Sequence, residues 1–242
     1  MDKRLENNLE KHKNLLKETL RTTIKEIFSI IEISNYLWVK WGFASNYYWL
    51  DRLSTDIDID ILNPEKEKIV VDTIREFLIK TKWKIRAERK LETWYRFVTF
   101  TEINNTKTRI QIDLNNKIFN SNKYNEVNLE WTQVIFMEKS CVNAHKLVSL
   151  SERFKDTDLY DIHYILKNNL PIDNDTIKER TWKETKDYIK ELIELLDGGY
   201  YKATLTAKMQ KIFCDEKNIR EENKKYLDET ISLLKNFINK TN

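Results

Sequence analysis

The chain has 242 residues, 40% of them hydrophobic and 12% aromatic, which is enough apolar material for a substantial core. Its three glycines, Gly42, Gly198 and Gly199, exclude both the G-x-x-x-x-G-K-S/T phosphate loop and the dinucleotide-binding glycine fingerprint. Because the formal net charge is only +3, affinity for nucleic acid must come from local basic patches.

The first half of the chain predicts helices mixed with strands. Leucines and isoleucines at helical spacing predict one helix over the first thirty-odd residues. After it, alternating patterns and polar breaks predict a small mixed sheet. The predicted strands cover 36–40, 56–62, 82–89, 94–102 and 108–114, with a short aromatic helix at 43–50 and a longer helix at 65–80.

The second half predicts helices alone, over 137–154, 158–167, 176–196 and 221–239. We therefore expect an α+β protein with a sheet-containing domain at residues 1–130 and a helical domain at 131–242. Cys141 and Cys214 are isolated, which fits a reducing cytoplasm. The sequence offers neither an apolar signal region nor an apolar run of about 18 residues, so we expect a cytoplasmic protein without a membrane partner.

One predicted strand carries an unusual set of acids. Asp56, Asp58 and Asp60 alternate with isoleucine, so the three carboxylates lie on one face. Such carboxylates repel each other unless a cation neutralises them, and carboxylate oxygens suit Mg²⁺. Asp113, at the end of another predicted strand, would supply a further carboxylate. The alternative is a half-exposed strand with its acids in water. For Asp60 itself we expect an exposed or peripheral carboxylate.

The residues around this strand resemble a known signature. Gly42-Phe43-Ala44, followed ten residues after Gly42 by Arg52-x-Ser54-Thr55-Asp56-Ile57-Asp58, is similar to polymerase-beta-like nucleotidyltransferases, and most similar to the abortive-infection toxin family AbiEii/AbiGii. The resemblance implies a polymerase-beta-like core followed by a helical bundle. It assigns nucleotide binding to Gly42, Ser45 and Arg52 and the binding of two Mg²⁺ ions to Asp56, Asp58 and Asp113. Trp41 stands where that family usually has a first glycine, and tryptophan cannot approach phosphate as closely.

A second motif lies in the helical half. Ala144-x-Lys146-Leu147 and, further on, Asp158-Leu159-Tyr160-Asp161 resemble the A-x-K-L and R-D-L-Y-D motifs of the same family, with Thr157 in place of the arginine. The resemblance implies that Lys146 neutralises nucleotide phosphate and that Asp158 and Asp161 complete the active centre, in the cleft between the two domains. The alternative is that these acids are ordinary helix-start residues in surface salt bridges.

The implied function is transfer of a nucleoside monophosphate from an NTP to an acceptor hydroxyl. By resemblance, the enzyme is a toxin that modifies tRNA, another RNA or a protein, with a cognate antitoxin as a possible partner. One alternative is an antibiotic nucleotidyltransferase, whose acceptor pocket would be acidic. Another is a catalytically inactive antitoxin or binding relative, which Trp41 favours and the three carboxylates oppose.

Two weaker patterns also bear on binding. Lys82, Lys84 and Arg86 would share a strand face as a track for RNA phosphate, reinforced by Arg89, Lys90 and Arg96, or would protect an edge strand from aggregation. The aromatic run 47–49 would stack a base or belong to the core. The three histidines, His12, His145 and His163, are scattered and support neither a histidine zinc site nor a Ser-His-Asp triad.

Overall fold

The computed structural model describes residues 3–48, 54–81, 83–103, 105–153, 155–198 and 219–240. The chain divides into two compact units. Unit 1 comprises Met1–Ile118 and Lys123–Glu138, and unit 2 comprises Phe119–Asn122 and Lys139–Asn242. Strands lie in unit 1 and helices in both, so the predicted α+β class is confirmed.

Unit 1 contains a seven-stranded sheet and four helices among its described residues. A 3₁₀ turn at Pro64–Lys66 precedes the fourth helix. Asn63 caps this 3₁₀ turn by accepting a hydrogen bond from the amide of Glu65. In chain order the elements are α1 (Lys3–Phe28), α2 (Ile31–Ser34), β1 (Leu37–Lys40), α3 (Trp41–Tyr48), β2 (Asp56–Ile61), α4 (Glu67–Lys80), β3 (Lys84–Lys90), β4 (Trp94–Ile103), β5 (Thr106–Asn115), β6 (Tyr124–Leu129) and β7 (Thr132–Met137).

The sheet is mixed, with strand order β3-β4-β5-β2-β1-β7-β6. The β2–β5 and β1–β7 pairs are parallel, and the other neighbouring pairs are antiparallel. This order places β2, the acidic strand, between β1 and β5 in the middle of the sheet. The prediction of β1 to β5 from the sequence is thereby confirmed to within a few residues.

Alternating burial along β5 separates the two faces of this part of the sheet. Thr108, Ile110, Ile112 and Leu114 are buried, whereas Lys107 and Arg109, on the other side of the strand, are exposed. The buried residues join the isoleucines of β2 and the apolar side of α4 in the core of unit 1, because a strand directs successive side chains to opposite faces. The opposite face, which carries the acids of β2, is called the open face below.

The hairpin formed by β6 and β7 is not predicted by the sequence analysis. Its two-residue loop is Glu130-Trp131, and Glu130 has a φ of 59°, a conformation usually met by Gly or Asn. Lys25 of α1 supports this loop through a 2.9 Å ion pair with Glu130 and a contact 4.7 Å from the Trp131 ring centre. A tertiary contact thus stabilises a turn that lacks the usual sequence signal. The predicted boundary at 130/131 falls in this loop, whereas unit 1 continues to Glu138.

Unit 2 consists of helices in its described part. The helix predicted over 176–196 is two helices, because Trp182 adopts a left-handed φ of 60° and ends the first of them. Gly198 follows the second, and Gly199 lies outside the described residues. The helices are α5 (Lys139–Arg153), α6 (Asp156–Lys167), α7 (Asn174–Thr181), α8 (Thr185–Asp197) and α9 (Ile219–Lys240). None of the described helices of either unit is both long and apolar enough to cross a membrane.

Candidate active site

The three predicted metal ligands of unit 1, Asp56, Asp58 and Asp113, lie on the open face of β2 and β5 and are called the acidic row below. In the β2–β5 register Asp58 lies directly beside Asp113, and in the β1–β2 register it lies beside Lys40. Asp56 is one step away on the same face, next to Gln111. Asp58 is almost buried and Asp113 is partly exposed. The sequence predicted that these three acids share a site, and the sheet topology brings them side by side.

Arg96 of β4 completes this row and was not predicted as a site residue. It lies opposite Asp113 in the β4–β5 register and donates from Nε and Nη2 to the two carboxylate oxygens, both at 2.7 Å. Gln111 donates a third hydrogen bond to Asp113 at 3.0 Å. The hydrogen bonds to Asp113 raise the pKa of Arg96, and partial burial acts to lower it. The negative charges of Asp113, Asp56 and Asp58 raise this pKa further. Arg96 therefore neutralises part of the acidic row.

Asp60 is neither exposed nor peripheral, so the expectation for it was wrong. Its side chain is 1% exposed and forms an ion pair with Lys40, which is itself buried. Tyr124 of β6 donates a hydrogen bond to Asp60 at 2.8 Å, and its ring lies against Trp38. Burial raises the pKa of Asp60, while Lys40 and Tyr124 act to lower it. The charges of Asp60 and Lys40 therefore compensate each other inside unit 1.

Gly42 lies beside the acidic row, at the start of α3. A Cβ atom at this position would lie 2.8 Å from Ser54 Oγ and 3.6 Å from Asp58 Oδ2, so no larger residue fits without a shift. Ser54, a residue of the motif to which the resemblance assigns no role, thus places its hydroxyl next to Gly42. By contrast Ser45 is fully buried and donates to the Trp41 carbonyl at 2.8 Å, and its nucleotide-binding role remains a prediction. Arg52 lies outside the described residues.

Trp41 occupies the position of the missing glycine in a conformation that favours glycine. Its φ is 48°, in the left-handed region, which costs a non-glycine residue about 1–3 kcal/mol. The Nζ of Lys40 lies 4.5 Å from the centre of the Trp41 ring, a distance typical of a cation–π contact. This contact offsets some of the backbone strain. A glycine would adopt this φ without the strain.

The carboxylates of unit 1 fit a magnesium ion in part. Among the described residues, no three His, Cys, Asp or Glu side chains are grouped closely enough to form a complete metal site. Mg²⁺ is, however, commonly held by one or two carboxylates together with substrate phosphates, and Asp56 and Asp58 offer two carboxylates on one face. Both oxygens of Asp113 are hydrogen-bonded to Arg96. The metal role predicted for Asp113 remains a prediction.

The predicted residues of unit 2 form a buried charge cluster. Lys146 of α5 lies 2.8 Å from Asp161 and 3.8 Å from Asp158, both on α6. Arg153, seven residues after Lys146 and so on the same side of α5, binds Asp158 at 2.9 and 3.0 Å. The side chains of Asp158 and Asp161 are at most 1% exposed. The alternative of surface salt bridges is therefore wrong for these two acids, which are balanced by the buried Lys146 and by the more exposed Arg153.

The weaker patterns have mixed outcomes. Strand β3 lies at the sheet edge, as the aggregation argument requires, and a bulge between Ile85 and Ala87 breaks the predicted alternation of Lys84 and Arg86. Lys82 and Trp49 lie outside the described residues. Tyr47 packs on Phe136 at 4.8 Å between ring centres yet remains partly exposed, so it belongs to the edge of the core.

Comparisons with known proteins establish the fold. No protein-family model matches the chain, and no curated protein matches it. The crystal structure of a candidate nucleotidyltransferase from H. pylori is similar, with 13% identity, a TM-score of 0.58 and coverage of 93% of this chain and 94% of that one. The crystal structure of JHP933 from Helicobacter pylori is also similar, with 14% identity, a TM-score of 0.57 and coverage of 93% of this chain and 92% of that one. The chain therefore shares the fold of these two structures, which confirms the predicted α+β fold, whereas membership of the abortive-infection toxin family remains a prediction.

Proposed function

We propose that this protein transfers a nucleoside monophosphate from an NTP to an acceptor hydroxyl. The observation that carries the proposal is the adjacency of Asp58 and Asp113 in the sheet register, with Asp56 on the same face, within a nucleotidyltransferase fold. The arrangement joins acids that are 55 residues apart in sequence and places them on the open face. Solubility alone does not require two acids from distant segments to lie side by side in the sheet.

In the proposed reaction the acceptor oxygen forms a bond to the α-phosphorus while the bond from that phosphorus to the β-phosphate oxygen breaks. Pyrophosphate leaves, and the hydroxyl proton passes to a carboxylate of the acidic row. Asp56 and Asp58 would hold Mg²⁺, which supplies charge neutralisation for the phosphates and for the attacking oxygen. Gly42 allows a close approach to Ser54 and Asp58, and Arg96 keeps Asp113 in place.

The finer assignment to a toxin with a cognate antitoxin rests on the motif resemblance. It is supported by the joint presence of the Gly42–Asp58 motif and the Lys146–Asp161 motif in the family's order. The second candidate is a catalytically inactive relative. It is favoured by the bidentate Arg96–Asp113 pair and the strained Trp41, since both occupy positions where an active site would receive ligands.

One transfer assay separates the two candidates. The purified chain is incubated with Mg²⁺ and each α-³²P-labelled NTP, alone, with total RNA and with a cell protein extract. We expect label to appear in an acceptor and to be lost in Asp58→Asn. Asp72→Asn, which makes the same change at a partly exposed position of α4, is the matched control and retains transfer. Absence of transfer in every arm, together with absence of NTP binding, rejects the enzyme and favours the inactive relative.

A further inference from the structure

The open face of β3, β4 and β5 carries cations and aromatic rings in register. Lys84 of β3 lies opposite Phe100 of β4, and Phe100 lies opposite Arg109 of β5, so one ring has a cation on each side. Lys84 and Arg109 are exposed and Phe100 is partly exposed. The Nζ of Lys107, one row further on, lies 4.7 Å from the centre of the same ring.

The same pattern continues toward the acidic row. Arg89 of β3 is exposed and lies opposite Arg96, which stacks 4.3 Å from the ring centre of Trp94. The open-face charges of these strands are positive at Lys84, Arg89, Arg96, Lys107 and Arg109 and negative at Glu102 and Asp113. Because the net charge of the whole chain is only +3, this is a local concentration of positive charge.

We propose that this face binds a single-stranded nucleic acid. Phosphates pair with exposed lysine and arginine side chains, and bases stack on aromatic rings whatever their sequence, so a cation–ring–cation row matches the two repeating parts of a single strand. An acidic protein would form ion pairs with the cations but would offer no planar group to stack on the aromatic rings. An apolar partner would satisfy the rings but bury the cations at a cost.

The register places this surface beside the proposed chemistry. Phe100 and Arg96 are four residues apart on β4, or about 13 Å along the strand, and Arg96 is paired with Asp113 in the acidic row. A strand bound along β4 therefore ends near the carboxylates. That the bound strand is also the acceptor rests on the proposed function, whereas its binding does not.

Binding is tested without catalysis. Fluorescence anisotropy measures binding of the full chain to a labelled 12-residue oligouridine and to its DNA counterpart, in EDTA and without NTP, over a range of salt concentrations. We expect affinity to fall with salt, since each phosphate contact on a single strand contributes a slope of about −0.7. Tighter binding of the RNA assigns the partner to RNA, and tighter binding of the DNA assigns it to DNA.

Variants separate the charge from the stacking. Lys84→Gln and Arg109→Gln each reduce the magnitude of the salt slope by about 0.7, whereas Lys80→Gln, at an exposed lysine at the end of α4, leaves it unchanged. Phe100→Leu weakens binding by about fivefold or more at an unchanged slope, because it removes stacking and keeps an apolar side chain. Trp131→Leu, a change at a ring that is 80% exposed elsewhere in unit 1, is the matched aromatic control.

Three results overturn the proposal: no binding of either strand, equal effects of target and control variants, or displacement by polyglutamate as effective as by unlabelled RNA. The last result assigns the face to an acidic protein. Strand binding without nucleotide transfer in any arm and without NTP binding rejects the proposed function alone. Transfer to another acceptor without strand binding rejects this inference alone.

Discussion

Arg96 binds both carboxylate oxygens of Asp113 at 2.7 Å, directly across the β4–β5 ladder. A guanidinium thus neutralises the carboxylate that lies beside Asp58, where the resemblance implies a metal ion. The pair is partly exposed, so its contribution to stability is modest, at about 0–1 kcal/mol. Its larger effect is on the charge available to a metal ion.

Arg96→Gln is expected to tighten binding of Mn²⁺, used as a spectroscopic substitute for Mg²⁺, by about fivefold. Removing the guanidinium frees Asp113 and deletes a positive charge whose interaction is worth about 1 kcal/mol. Free Mn²⁺ is measured by electron paramagnetic resonance. Arg75→Gln is the matched control, because Arg75 forms a similar bidentate pair with Glu88. Unchanged Mn²⁺ affinity in Arg96→Gln would show that Asp113 is not a ligand.

Gly42→Ala is expected to destabilise unit 1 by about 1–3 kcal/mol, because the new methyl group would lie 2.8 Å from Ser54 Oγ. The midpoint of urea unfolding, followed by tryptophan fluorescence, measures the change. The double variant Gly42→Ala/Ser54→Gly removes the colliding hydroxyl and should recover most of the loss, relative to Ser54→Gly alone. A single variant as stable as the parent would contradict the close approach.

Lys146→Met is expected to destabilise unit 2 by about 3–5 kcal/mol, since it leaves the buried Asp161 without its nearest cation. Lys146→Met/Asp161→Leu replaces the whole pair with apolar side chains and should restore most of the stability, measured by thermal unfolding. We expect this folded double variant to lack nucleotide transfer, as the resemblance assigns Lys146 to phosphate. Full transfer activity in it would restrict the pair to a structural role.

The stability of unit 2 should fall as the pH drops below about 6.5. His163 is buried beside Tyr226 and 3.2 Å from Glu229, and burial lowers its pKa below the ordinary value of 6.5, although Glu229 acts to raise it. Below pH 6.5 the unfolded chain therefore binds a proton that the folded chain does not, which favours unfolding. The loss between pH 7.5 and 5.5 should be up to about 1 kcal/mol and smaller in His163→Gln, as measured by urea unfolding at each pH. An equal loss in both proteins would refute the assignment to His163.

The sequence by itself determined most elements of this protein, because local periodicity and turn residues decide whether a segment forms a helix or a strand. It also identified Asp56, Asp58 and Asp113 as one group, since their spacing resembles a known motif. The α+β class follows from the local patterns and is confirmed, and the chain shares the fold of the similar H. pylori structure. The metal-binding role of Asp56, Asp58 and Asp113 is still a prediction.

The tertiary structure decided what depends on contacts between distant segments. The β6–β7 hairpin has no favourable turn residue and relies on Lys25 of α1, so no local pattern predicts it. The burial of Asp60 depends on Lys40 and Tyr124, and the pairing of Arg96 with Asp113 depends on the register of β4 and β5. A charge is identified by sequence, but its partner is fixed only when strands from different parts of the chain align.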